Sequence, residues 1–345
     1  MIDEDEVLFE RRGAIGLITL NRPKALNALT HGMCLKMKAQ LDAWANDTDV
    51  KAVVVRGAGE RAFCAGGDIR VLYESGRAGT PYALEFYRDE YILDAAIKHF
   101  PKPYIALIHG IVMGGGVGVS VHGSHRIAGE AMMFAMPETG IGLFPDVGGS
   151  YFLPRCPGQI GMYLGLTGAR LKTADTLYAG VATHFVPFAK WDGFVGQLAE
   201  GASPDDVLKT SGEAVPGDFL SEHRATIDRI FSGNSVEEIL AALDLEHTDW
   251  ASDTAATIRT KSPTSVKITF WQIREGAKLG FDDCMRMEFR MVNRIISGHD
   301  FYEGVRATIL DKDGAPKWKP AALNEVSEAQ VHAYFAPIDN KELPL

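Results

Sequence analysis

Apolar residues run over 7–9, ahead of Glu10, and almost unbroken over 14–20, with a polar turn at 11–13 between them and Asn21-Arg22-Pro23 behind, a pattern that predicts an opening hairpin. Thr30 then stands as an N-cap for a helix reaching Asn46, because Met33, Met37, Leu41 and Trp44 recur at helical spacing. Short apolar runs at 52–56 and 104–108 predict buried strands. Each leads into a glycine-rich segment, GAGERAFCAGGDIR at 57–70 and GIVMGGGVGVS at 110–120, the second entering a helix. A long helix over 82–99 lies between them and is stopped by Pro101 and Pro103. Strand, glycine loop and helix in this order make β-α repeats and predict an α/β fold. Beyond Gly180 the pattern changes. Pro187, Gly193, Pro204 and the acidic run 200–217 predict loops, followed by helices over 235–243, 251–260, 265–279 and 281–296.

Composition narrows the class. With 46% hydrophobic and 23% charged residues among 345, the chain has ordinary globular proportions and the length to bury a large core. A net charge of −10 argues against nucleic acid or an anionic membrane surface as partner, so a polyanionic ligand would need local cations. No apolar run approaches the roughly 18 residues of a membrane helix. The opening MIDEDEV is acidic, the opposite of a secretory or transit sequence, and predicts a cytoplasmic protein. Cys34, Cys64, Cys156 and Cys284 are far apart with no CxxC spacing, which predicts reduced, partly buried thiols and neither disulfide nor zinc site.

The stretch MPETGIGLFPDVGGS, residues 136–150, sets Glu138 and Asp146 among apolar residues and glycines. Ionised carboxylates there lose solvation. They are either solvated turn residues at a loop surface or groups held in a pocket with a raised pKa, and the residues alone leave both readings open. The glycines of the two earlier loops, Gly66-Gly67 and Gly114-Gly115-Gly116, likewise serve close packing or present bare N–H groups to one oxygen. Two such groups converging make an oxyanion hole, and the start of a helix adds positive potential. Neither loop matches a P-loop or a dinucleotide fingerprint. His109, His122 and His125 flank the second loop without a GxSxG serine elbow, which favours packing or capping over nucleophile activation.

Four ordered motifs, NRPKALNAL (21–29), FCAGGDI (63–69), HGIVMGGGVG (109–118) and MPETGIGLFPDVGGS, together resemble the crotonase, or enoyl-CoA hydratase/isomerase, superfamily. More narrowly, PETGIGLFPDVGGSYFLPR, FYRDEY (86–91) and GHDFYEGVRATILDKDGAPKWKP (298–320) are similar to its thioester-hydrolase branch. The resemblance covers nearly the whole chain and is weakest over about 190–255. It implies ββα repeats in a spiral core over residues 1–190, carrying the active site. A C-terminal helical region over 191–345 would cover an acyl-CoA pocket.

By that likeness Gly67 and Gly115 supply the thioester-binding N–H groups, and Glu138 is the recurring catalytic glutamate. Hydratases of the superfamily carry a second glutamate where this chain has Gly118, which cannot transfer protons. Asp146 stands where the hydrolase branch has its aspartate. The implied reaction is hydrolysis of 3-hydroxyisobutyryl-CoA or a similar short 3-hydroxyacyl-CoA, in valine catabolism. Glu138 would act as general base or as nucleophile, and Asp146 would orient the 3-hydroxyl group or the water. Glu90 resembles a substrate-contacting acid, although beside Arg88 and Asp89 it reads by itself as a solvated helix charge. Gly115, Ala65, Asp68 and Lys24 resemble substrate and CoA contacts, and Lys312, Lys317 and Lys319 a lid over the nucleotide, although lysines in loops are more often solvated. No metal or cofactor is implied, coenzyme A being part of the substrate; a homo-oligomer is possible. The alternatives are an enoyl-CoA hydratase or isomerase, opposed by Gly118, and a non-catalytic acyl-CoA-binding protein, opposed by Glu138 together with both glycine loops.

Overall fold

The structure is a computed structural model that describes residues 5–338 and 341–345; Asp3 and Glu4 of the acidic opening lie outside them. By packing the chain divides into two compact units: Met1–Gly67, Asp89–Phe134 and Arg170–Phe219 form the first, and Asp68–Arg88, Ala135–Ala169 and Leu220–Leu345 form the second.

The first unit is built on strands β1 (Val7–Arg12), β2 (Ile15–Leu20), β3 (Ala52–Gly57), β4 (Ala62–Cys64), β5 (Tyr104–Ile108), β6 (Ile111–Met113), β7 (His125–Ala128), β8 (Met133–Ala135), β9 (Leu171–Lys172) and β10 (His184–Phe185). Six of them form one sheet in the order β1-β2-β3-β5-β7-β10, and four form a second in the order β4-β6-β8-β9. The β1-β2 hairpin is antiparallel, and β2, β3, β5, β7 and β10 then pair in parallel. Parallel strands covered on both faces read as continuous apolar runs, and all five residues of β5 are buried. On one face Ile15, Leu17, Ala52, Val54, Ile105 and Leu107 alternate with their neighbours and pack on Trp191, Phe194, Val195 and Leu198 of the helix Trp191–Ala199. Each valine, leucine, isoleucine or phenylalanine among them contributes about 1.5–3 kcal/mol when fully buried.

The helix His31–Asn46 opens where expected, with Thr30 Oγ1 accepting from Met33 N, and Met33, Met37, Leu41 and Trp44 are buried. Three expectations need correction. Short strands Ala62–Cys64 and Ile111–Met113 run inside the two glycine loops, because three-residue strands carry too little periodicity to stand out. The helix Ile69–Ala78 follows the first loop unannounced. The acidic run 200–217 contains the helix Pro204–Ser211, started by Ser203 Oγ accepting from Asp206 N and by Pro204 in the first turn.

The second unit is helical, with Ile160–Thr167, Val236–Leu245, Asp249–Thr260, Pro263–Gly276 and Phe281–Ile295 as its main helices. The four expected C-terminal helices are all present, with ends shifted by up to three residues. The cysteines are free and buried rather than partly so, and burial pushes the Cys64, Cys156 and Cys284 thiols up to about 12. No helix among the described residues is long and apolar enough to cross a membrane, and none of their His, Cys, Asp and Glu side chains group as metal ligands.

Candidate active site

The backbone donors lie in the first unit. Asn27, fully buried in the NRPKALNAL turn, donates from Nδ2 to Ala58 O and Ala62 O, and its Oδ1 accepts from Arg22 N. This pins a turn in which Leu26 and Asn27 both take positive φ, and Leu26 O in turn accepts from Ala65 N at 3.0 Å. Lys24 is exposed on that turn, and Ala65 is partly exposed. After β4 the chain passes Gly66, at φ 115°, to Gly67, which pairs with Leu29 in an isolated bridge.

The second glycine loop meets the first. An ideal Cβ built on Gly115 would lie 3.4 Å from Gly67 N and 2.3 Å from Glu90 Oε1, and one on Gly116 would strike Cys64 O at 2.2 Å. Gly114 sits at φ 47°, ψ −127°, a conformation left to glycine, and starts the helix Gly115–Val121. As its first residue, Gly115 carries an N–H without an intrahelical acceptor. Backbone contact thus requires glycine at Gly116, and at Gly115 a side chain would push the Glu90 carboxylate aside. Glu90 is 2% exposed, which corrects its reading as a solvated helix charge: the helix Tyr82–Lys98 turns it inward, onto the Gly115 backbone. His109 stacks on Phe188 with ring centroids 4.3 Å apart, a packing role.

The carboxylates lie in the second unit. Glu138 opens a 3-10 turn, Glu138–Ile141, closed by Gly142 at φ 72°, whose N–H returns to Glu138 O. A Cβ on Gly142 would lie 2.3 Å from the Asp300 carbonyl, and one on Gly304 would lie 2.4 Å from Ile141. Glu138 and Asp146 are each 4% exposed, so the surface-loop alternative falls away. Burial is the main cause that holds the Glu138 carboxyl well above its ordinary range; Asp146 and Glu288 add to it, and Lys261 opposes it. Its Oε2 has no hydrogen-bond partner among the described residues. Asp68 begins the helix Ile69–Ala78, and Lys312, Lys317 and Lys319 are exposed. Gly142→Ala combines left-handed strain with a backbone clash and is expected to cost about 2–5 kcal/mol, read as a lower urea midpoint at unchanged slope.

Three residues of this cluster were missed by sequence reasoning. Lys261 reaches the turn because Ser262 N donates to Thr139 O; a Cβ on Gly140 would lie 3.4 Å from its Nζ, and burial lowers its pKa against the pull of Glu138. Glu288 is fully buried and Gln272 likewise. The signal for Glu288 was present: Phe281, Met285, Glu288, Val292 and Ile295 fall at alternating four- and three-residue spacing, which sets a carboxylate in an otherwise apolar stripe.

The family model described as "Enoyl-CoA hydratase/isomerase" matches residues 15–335. A relative from Danio rerio, named "3-hydroxyisobutyryl-CoA hydrolase, mitochondrial", is 50% identical over 99% of this chain and 92% of its own. Among solved structures, a carnitinyl-CoA dehydratase from Mycobacterium thermoresistibile is 44% identical with a TM-score of 0.94, over 99% of this chain and 98% of its own. An enoyl-CoA hydratase from Rhodobacter sphaeroides is 40% identical with a TM-score of 0.93, over 99% of this chain and 100% of its own. The word "mitochondrial" in the relative's name overturns the cytoplasmic expectation, since the charge of the opening residues does not decide a compartment. The α/β fold, the two glycine loops and the match along nearly all of the sequence lead to one assignment: the chain belongs to the enoyl-CoA hydratase/isomerase family, the crotonase superfamily.

Proposed function

We propose that the chain hydrolyses the thioester of 3-hydroxyisobutyryl-CoA, or of a similar short 3-hydroxyacyl-CoA, to the free acid and CoA, as a step of valine breakdown. The observation that carries this reading is the placement of carboxylates. The helix Gly115–Val121 offers only Gly118 where hydratases carry a glutamate, whereas Asp146 is buried in the same unit as Glu138 and raises its pKa. The 50% identical relative bears the name of such a hydrolase.

In this reading the thioester oxygen accepts from the N–H groups of Gly67 and Gly115, which stabilise the charge that builds on it during attack. Glu138, held high in pKa, takes a proton from the attacking water or itself attacks to give a mixed anhydride that water then cleaves. The C–S bond breaks and CoA leaves as the thiol. Asp146 orients the 3-hydroxyl group or the water. The chemistry draws on water alone; CoA enters with the substrate.

A second reading, hydration of an enoyl-CoA, is favoured by the names of the two solved structures. Thiol release from 3-hydroxyisobutyryl-CoA, followed with a thiol reagent beside the absorbance of crotonyl-CoA, separates the two. Thiol without loss of enoyl absorbance supports hydrolysis, and the reverse overturns it. Asp146→Asn is expected to lower kcat for thiol release by about 10- to 100-fold, in line with the lower part of the range for proton-transfer and orienting groups.

A further inference from the structure

We propose that Glu288 is the positioning residue that holds Asp146 in place for thioester cleavage, an inference that rests on the reading of Asp146 above. Residues 145–150 turn through two successive left-handed conformations, Val147 at φ 51° and Gly148 at φ 85°. A β-branched residue rarely adopts that region, and it does so only where the surroundings over-determine it. Here the surroundings are two side chains more than 120 residues away in sequence.

Glu288, on the helix Phe281–Ile295, accepts from Gly148 N at 2.8 Å, from Ser150 N at 2.8 Å and from the Ser150 hydroxyl at 2.6 Å. Gln272, on the helix Pro263–Gly276, donates from Nε2 to Pro145 O at 2.5 Å and to Ser150 Oγ at 2.9 Å. Ser150 Oγ thus donates to one helix and accepts from the other. Asp146 lies between two held points, Pro145 before it and Gly148 and Ser150 after it. A fully buried carboxylate in an apolar stripe loses its hydration, and an apolar residue would pack the position without that loss. What a carboxylate supplies is acceptors alone, matched to three donors of one turn. Glutamine has the same shape but turns an NH2 toward a donor, so at least one of the three contacts is lost.

Kinetics of thiol release from 3-hydroxyisobutyryl-CoA by wild type, Glu288→Gln, Asp146→Asn and the double variant test this. Glu288→Gln is expected to lower kcat by about tenfold or more with KM changed less than about twofold, since a displaced orienting group acts on the reacting geometry. In the Asp146→Asn background the same change is expected to cost less than about twofold, because residues acting as a unit are non-additive. Ser150→Ala, which removes one contact and leaves Glu288 intact, is expected to follow the same pattern at about three- to tenfold, so the coupling stays measurable if Glu288→Gln does not fold. Equal losses in both backgrounds, or no loss in either, overturn the proposal. If Asp146→Asn keeps full kcat, the reading of Asp146 fails in the single variant and takes the proposal with it. An Asp146→Asn loss with an additive Glu288→Gln loss defeats the proposal alone.

Discussion

Glu138→Gln is expected to lower kcat for thiol release by about 100-fold or more while leaving KM nearly unchanged, the scale for removal of a general base. The substitution keeps the size of the side chain and removes its charge and its capacity to take a proton. The same change is expected to raise the melting temperature, and more so at pH 8 than at pH 5. Burial, with Asp146 and Glu288 behind it, holds the folded-state pKa of Glu138 well above the value of an unfolded glutamate. Between the two values the folded protein binds the proton that the unfolded chain releases. The stability that protonated Glu138 contributes is complete below the unfolded pKa and is lost as pH rises through the folded one. Activity has the opposite sign, because a base works only when deprotonated, so kcat/KM is expected to rise over pH values above the usual carboxylate range. Calorimetry and initial rates on wild type and Glu138→Gln check both. A kcat within threefold of wild type, or a lower melting temperature at both pH values, would sink the assignment of Glu138.

Gly115→Ala is the second large effect expected, at about 100-fold in kcat/KM, the scale of losing one oxyanion-hole donor. Its new methyl group would meet Glu90 Oε1 at 2.3 Å, inside any real Cβ contact, and would lie 3.4 Å from Gly67 N. Either the Glu90 carboxylate moves, or the helix start does and takes the Gly115 N–H from its place. Gly193→Ala is the control, since a Cβ there meets nothing within 4 Å. A Gly115→Ala enzyme as active as Gly193→Ala would mean that the close approach of Glu90 to the Gly115 backbone does not matter to the chemistry.

The sequence by itself determined the longer elements and the motifs. The hairpin, the capped helix ending at Asn46, the buried strand at 104–108 and the C-terminal helices were legible because their apolar periods are long or their caps distinct. The glycine loops and Glu138 were legible as motifs, and the family followed from their order. Only the tertiary structure decided which charged residues are buried and what they touch. Glu90 reads as surface charge until the helix is turned inward, and Lys261 reaches the Glu138 turn through a hydrogen bond between Ser262 and Thr139. Glu288 and Gln272 grip the Asp146 loop from far along the chain. Periodicity reports which face of an element is apolar, whereas the partner of a buried polar group is set by three-dimensional packing between segments of unrelated sequence position.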